Sequence, residues 1–279
     1  MYRRCFSGLL TFLLVMGCAD EPTAPSIENP PVGDFAAALI DSSQPGGGVP
    51  GFHFLPPTVP APPPAFTGTF DPSLSPIIEI CPLNGTSPAA PDDCPAALLA
   101  TLTTDGDPPE AIRVDAIGEA YLSTWRSTVM PGRGYRAFVS VGATVLGYVD
   151  LWGTSRKKES TPPGFIGVVA GKPFLFKFRI ETGIAGEVIV TPPAATILDA
   201  NAAGEMQGFL ATVLDLHGEP LPDVDVEWSV SHGLLVALDP TSGTTDANGQ
   251  TATIATVLDR VTASTVVNVR LSSSSTQEN

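Results

Sequence analysis

The stretch Val224-Asp225-Val226-Glu227-Trp228-Ser229-Val230 decides how the chain is read. Val224, Val226, Trp228 and Val230 alternate with Asp223, Asp225, Glu227 and Ser229. Successive side chains of a strand point to opposite faces, so this spacing predicts one buried face and one solvated, acidic face. Upstream lies Phe209-Leu210-Ala211-Thr212-Val213-Leu214-Asp215, then the turn Gly218-Glu219-Pro220-Leu221-Pro222. Downstream, Asp246, Asn248 and Gly249 supply residues that a tight turn with positive φ accepts. A closing strand is expected at Thr262–Leu271, and Trp228 is expected between two sheets.

Taken together, the strand ending in Asp215, the Gly-x-Pro turn, the Val-x-Val-x-Trp strand and the Thr-Asp-Ala-Asn-Gly turn at 245–249 carry a resemblance. Their order is similar to that of the bacterial immunoglobulin-like domain of group 1, the type repeated in the intimin and invasin adhesins. The resemblance spans roughly residues 187–272. It implies an immunoglobulin-like sandwich acting as a rigid spacer or adhesive module.

Moving toward the N-terminus, residues 67–186 show runs rich in Val, Ile, Thr and Phe, separated by Gly, Pro and Asp. Strands are expected at Ile77–Cys81, Ala97–Thr103, Ile112–Asp115, Ala120–Arg126, Tyr135–Val141, Thr144–Leu151, Gly164–Val169 and Pro173–Glu181. The last is the most regular: Phe174, Phe176, Phe178 and Ile180 form an apolar face, and Leu175, Lys177, Arg179 and Glu181 a mostly charged one. No stretch beyond residue 43 holds apolar residues at helical spacing over three turns. The expected fold is therefore all-β, with two β-sandwich-like units behind a Pro-rich tether. The expected divisions are residues 1–17, 18–33, 34–186 and 187–279.

Thirteen of the 29 prolines fall between Pro22 and Pro72. Phe52, Phe54, Leu55 and Phe66 within that region are large apolar groups, best buried by extended segments along a sheet edge, where proline needs no ladder donor. The formal charge of −15 argues against nucleic acid, whose phosphates would be repelled. Residues 187–279 hold two basic against twelve acidic side chains, net −10, whereas residues 34–186 carry net −4.

Residues 1–18 have the plan of an export signal, with Arg3 and Arg4 ahead of a short apolar run from Leu9 to Met16. That run is shorter than the ~20 residues a membrane-spanning helix needs. Val15-Met16-Gly17-Cys18 resembles the lipobox of bacterial lipoproteins. The resemblance implies cleavage after Gly17, acylation of Cys18, and a membrane partner through that anchor. Ala19 stands where an inner-membrane retention aspartate would be, which points to the outer membrane or cell surface. The other reading is a plain secretory signal with Cys18 near its cleavage point. Cys5 lies within the removed segment.

Cys81 and Cys94 are then the remaining cysteines, and an isolated pair in an exported chain reads as a disulfide. It would close a loop of about 14 residues, contributing up to about 3 kcal/mol in the chain-entropy picture. Two free thiols or a metal half-site are the alternatives. His53, His217 and His232 are read as surface turn residues. Phosphate-loop, GxGxxG, HExxH and GxSxG patterns do not occur, so no catalytic residue and no cofactor is assigned. Asp105 with Asp107, and Asp246 with Asn248, could each place two oxygens on calcium, but turn chemistry accounts for them and no metal is assigned. Arg156-Lys157-Lys158 is read as a loop tip, and Asn84-Gly85-Thr86 matches a glycan acceptor pattern.

These readings converge on a non-enzymatic, lipid-anchored surface protein with a structural or adhesive role toward a protein or glycan. The alternative is a carbohydrate- or small-ligand-binding accessory protein, with Trp125, Tyr148 or Trp152 forming an exposed platform.

Overall fold

The computed structural model describes residues 39–40, 49–60, 66–83, 98–192, 203–231, 233–258 and 266–271. The signal and tether, with Cys18, lie outside them, as do Asn84, Cys94 and His232. All described residues belong to one compact unit, Ala36–Asn279. Among them the regular structure is entirely β, and none forms a helix able to cross a membrane.

In chain order the strands are β1 (Leu39–Ile40), β2 (Phe52–Phe54), β3 (Pro76–Pro82), β4 (Ala100–Leu102), β5 (Arg113–Asp115), β6 (Ala120–Arg126), β7 (Gly134–Val141), β8 (Thr144–Thr154) and β9 (Ile166–Val169). They continue with β10 (Pro173–Ile180), β11 (Ala185–Thr191), β12 (Met206–Asp215), β13 (Asp225–Val230), β14 (Val236–Asp239), β15 (Ser242–Thr244), β16 (Gln250–Val257) and β17 (Val267–Leu271). Every strand expected from the sequence has a counterpart, and β6 has the expected bounds. The span expected at Ala97–Thr103 shortens to three residues, and the closing strand begins at Val267. β1, β11, β14, β15 and β16 have no counterpart among the expected strands.

The first sandwich stacks a sheet of order β1-β8-β7-β3-β4, with β9 parallel to β8, on a sheet of order β2-β10-β6-β5. Its core brings Ile78, Ile80, Val139 and Leu151 against Tyr121, Trp125, Phe176 and Phe178, all essentially without solvent contact. Tyr121 stacks on Phe178 at 5.5 Å between ring centroids, and Phe52 and Phe54 add edge contacts. Burial of these rings and aliphatic groups stabilises the sandwich by about 25 cal/mol per Å² of apolar surface. As expected for the Pro-rich segment, β2 is an edge strand, and it buries Phe52, Phe54 and Leu55. Phe66 departs from the expectation: it is 44% exposed.

The second sandwich pairs a sheet of order β11-β12-β16-β14 with a sheet of order β15-β13-β17. Phe209, Ala211, Val213, Val226, Trp228 and Ala255 fill the space between them. Trp228 lies between the sheets as expected, 4% exposed, and among the described residues its indole Nε1 has no hydrogen-bond partner. The alternation along β13 is as expected, with Val226 and Trp228 buried and Asp225, Glu227 and Ser229 exposed. Asp246 organises the expected turn: its carboxylate accepts from the Asn248 and Gln250 amides at 2.8 and 3.0 Å. These bonds hold the Asp246 pKa below the ordinary carboxylate value. Gly249 sits at φ 70°, where a Cβ would collide with the Val213 carbonyl and reach 2.9 Å from the Leu221 amide nitrogen. Only glycine suits that position.

Candidate functional site

The charged face expected on β10 does not meet solvent at its C-terminal end. Arg179 and Glu181 are buried, because segment 66–70 crosses over them. Arg179 donates to the Gly68 carbonyl at 2.9 Å and to Glu119 at 2.6 Å, and Gly68 N–H donates to Glu181 at 2.8 Å. The guanidinium lies 4.5 Å from the centroid of Phe66, which explains how that ring is held while remaining half in solvent. His53, expected in a surface turn, is instead buried on β2 opposite Arg179, with Nε2 3.9 Å from Glu181.

A second buried pair lies on the other sheet. Arg136 on β7 and Asp150 on β8 face each other in register, and both are fully buried. Arg136 Nε and Nη2 donate to the two carboxylate oxygens at 2.7 and 3.0 Å, and Tyr148 covers the guanidinium at 3.6 Å. Burial pushes the Asp150 pKa up, and the Arg136 bonds and charge only partly oppose it.

The sandwiches meet at a built junction. Ile184, between β10 and β11, is buried in the first core, and Leu216, just after β12, packs on that same core. Thr144 donates to the Gly186 carbonyl at 2.6 Å. Gly186 must be small there, since a Cβ would lie 2.6 Å from the Asp215 carbonyl oxygen. His217 Nε2 lies 2.7 Å from the Asp71 carboxylate. Asp71 also accepts from the Ser73 hydroxyl at 2.6 Å and amide at 3.0 Å, and its carbonyl accepts from Tyr121 at 2.6 Å. Although burial works against it, the bonds from Ser73 and His217 leave the Asp71 pKa lowered. The bond to Asp71, assisted by the charges of Asp71, Asp215 and Glu219, raises the His217 pKa. Burial pushes the Tyr121 pKa up to about 12, so that hydroxyl stays a donor. His217 is thus a clasp between sandwiches rather than a free turn residue. No sequence signal marks it, because its partner is 146 residues away.

The remaining sequence candidates are scattered. Cys81 is buried on β3, and its expected partner Cys94 lies outside the described residues. The three-ring platform does not form: Trp125 is inside the first core, Tyr148 is buried against Arg136, and half-buried Trp152 packs edge-on against Phe165 at 5.6 Å. The alternation of β6 turns Trp125 inward, so it cannot share a face with the other two. Arg156, Lys157 and Lys158 are exposed in the β8–β9 loop as expected. Glu159 accepts from the Ser155 hydroxyl and amide there, at 2.8 Å each, which lowers its pKa. Asp105 is lowered by a bond from the Thr103 side chain, which is turn chemistry. Among the described residues no group of three or more His, Cys, Asp or Glu is placed to hold a metal ion.

No family model and no curated protein matches the chain. Solved structures similar to it include the D00-D0 domain of Intimin, 10% identical, covering 54% of this chain and 71% of that one, with a TM-score of 0.25. Another is the D0-D1 domain of Intimin, 13% identical, covering 75% of this chain and 78% of that one, with a TM-score of 0.24. At those TM-scores the likeness carries no argument, and the all-β assignment stands on the strands themselves.

Proposed function

We propose that the chain is a non-enzymatic, lipid-anchored cell-surface protein that holds its C-terminal immunoglobulin-like sandwich in a fixed orientation as a structural or adhesive module. The observation that supports this most is the junction: Ile184, Leu216, Thr144–Gly186 and His217–Asp71 join the two sandwiches through both apolar and polar contacts. Flexibly linked domains need no such set of contacts. The buried charges also point to structure: Arg136 is paired with Asp150 and Arg179 with Glu181, away from solvent.

In this reading Cys18 carries the acyl chains, which anchor the chain through ~0.8 kcal/mol per buried CH₂. Residues 18–33 set the reach, and Cys81 bonds Cys94. The anchor is tested by Cys18→Ala, which should release the chain from outer-membrane fractions without detergent; retention in the membrane contradicts it. Alkylation followed by intact mass should leave Cys81 and Cys94 unmodified until reduction. A screen of glycans and matrix proteins separates an adhesive role from a purely spacing one.

A further inference from the structure

The second sandwich leaves one flank of its core half open. In a seven-stranded immunoglobulin sandwich four strands face three, and the last strand edges the smaller sheet. Here β11-β12-β16-β14 supplies the four, whereas among the described residues no strand lies outside β17 in the β15-β13-β17 sheet. The alternation of β17 turns Val267, Val269 and Leu271 inward and leaves Asn268 and Arg270 exposed. Val269 and Leu271 are only half-buried, as are Val188 and Val190 on the edge strand β11 of the facing sheet. Their register partners on β13, Trp228 and Val226, are buried, so coverage fades toward β17.

The same edge carries backbone groups that no described strand uses. Trp228 N–H donates to Thr241, away from β17, so Val269 opposite it turns its own N–H and C=O to the outer edge. Val267 and Leu271 do the same, two residues to either side. Apart from β11, which meets the first sandwich through Gly186, every other edge strand has four residues or fewer. Residues 272–279 contain only Ser, Thr, Gln, Glu and Asn, so the segment after β17 brings no apolar side chain to this flank.

β17 itself has what the edge requires. Set antiparallel to a second β17 about Val269, it places Val269 opposite Val269 and Val267 opposite Leu271 of the copy. All of these turn N–H and C=O to the edge, so the two strands exchange ladder bonds in that register. On the outer face Asn268 meets Arg270 of the copy, and no like charges stand opposed. The two acidic β13 strands would be three strand spacings apart, about 14 Å, beyond the ~8 Å screening length at physiological salt. We propose that the β17 edge pairs with β17 of a second copy to make one six-stranded sheet. Leu271 lies at the junction end of its strand, because it pairs with Val226 just after the turn that carries His217. A two-fold pair therefore carries its first sandwiches at opposite ends, which suits contact between two facing surfaces. To that extent the proposal rests on the adhesive reading above; the fixed junction has its own test.

The experiment mixes two variants of the full Cys18→Ala chain, Asn268→Cys and Arg270→Cys, both at exposed positions. The parent chain, which keeps Cys81 and Cys94, sets the background. Under mild oxidation the mixture should form cross-linked dimer at least tenfold faster than either variant alone, because the mixture sets two thiols opposite each other. In sedimentation the parent should show a monomer–dimer equilibrium that strengthens as salt rises, since both copies are acidic. Against Arg270 of the copy, Asn268→Arg should weaken the dimer and Asn268→Glu strengthen it, each by about threefold. Val269→Pro should abolish it, since it removes an edge donor and no bond to β13; an unchanged thermal unfolding midpoint shows that this variant is folded. Equal cross-linking in all three samples would overturn the proposal. So would a monomer at every concentration, which leaves the edge to another chain's strand. The reverse order of the two Asn268 variants, expected if net charge alone mattered, would overturn it as well.

Discussion

The two sandwiches place their charges in opposite ways. The first carries the smaller net charge yet buries Arg136, Asp150, Arg179 and Glu181. The second carries most of the negative charge and keeps its described carboxylates out of the core, with an interior of Phe209, Trp228 and small aliphatic groups. A charge taken from water must be fully paired where it ends up, so the first sandwich depends on particular pairs and the second on volume and shape.

The largest effects are expected where one member of a buried pair is removed. Arg136→Met should destabilise the first sandwich by about 3–5 kcal/mol, because Asp150 is left buried and unpaired. Arg136→Met/Asp150→Leu should restore much of that loss in denaturant unfolding. Additive losses would mean that the pair is not coupled. In the second sandwich Trp228→Ala should cost about 3–5 kcal/mol by leaving a cavity. Trp228→Phe should cost much less, since the indole N–H it removes makes no hydrogen bond among the described residues; equal losses would show that the N–H matters. Next in size is Gly249→Ala, expected to cost about 1–3 kcal/mol through its positive φ and the Val213 carbonyl, measured by thermal unfolding.

The smallest effect concerns the junction and depends on pH. His217 has a folded pKa raised above 6.5, so its contribution is complete below 6.5 and is lost as pH rises through the folded value. Asp71 has a folded pKa lowered below 3.8, so its contribution is present above 3.8 and is lost as pH falls through the folded value. The clasp therefore works best between those limits. His217→Ala should lower stability at pH 5 and have little effect at pH 9. A loss that does not change with pH would show that the contact is not ionic.

Much of the second sandwich was legible in its residues, because alternation along 224–230 and turn chemistry at 246–249 are local signals. The first sandwich was legible in its strands but not in its charges. Arg136 and Asp150 meet across a hairpin, and Arg179 was expected in solvent because nothing local reveals that segment 66–70 covers it. His217 and Asp71 are brought together only by the packing of one sandwich on the other. The ligand-platform alternative needs Trp125 on a surface, whereas its strand turns it into the core. Pairings between distant positions leave no periodicity to read.

The fixed relation of the two sandwiches is tested most directly by residual dipolar couplings on the Cys18→Ala chain at pH 5. Couplings from residues 76–180 and from residues 206–257, fitted separately, should give one alignment tensor of the same magnitude and orientation. Two tensors of different magnitude would show independent motion and contradict the account.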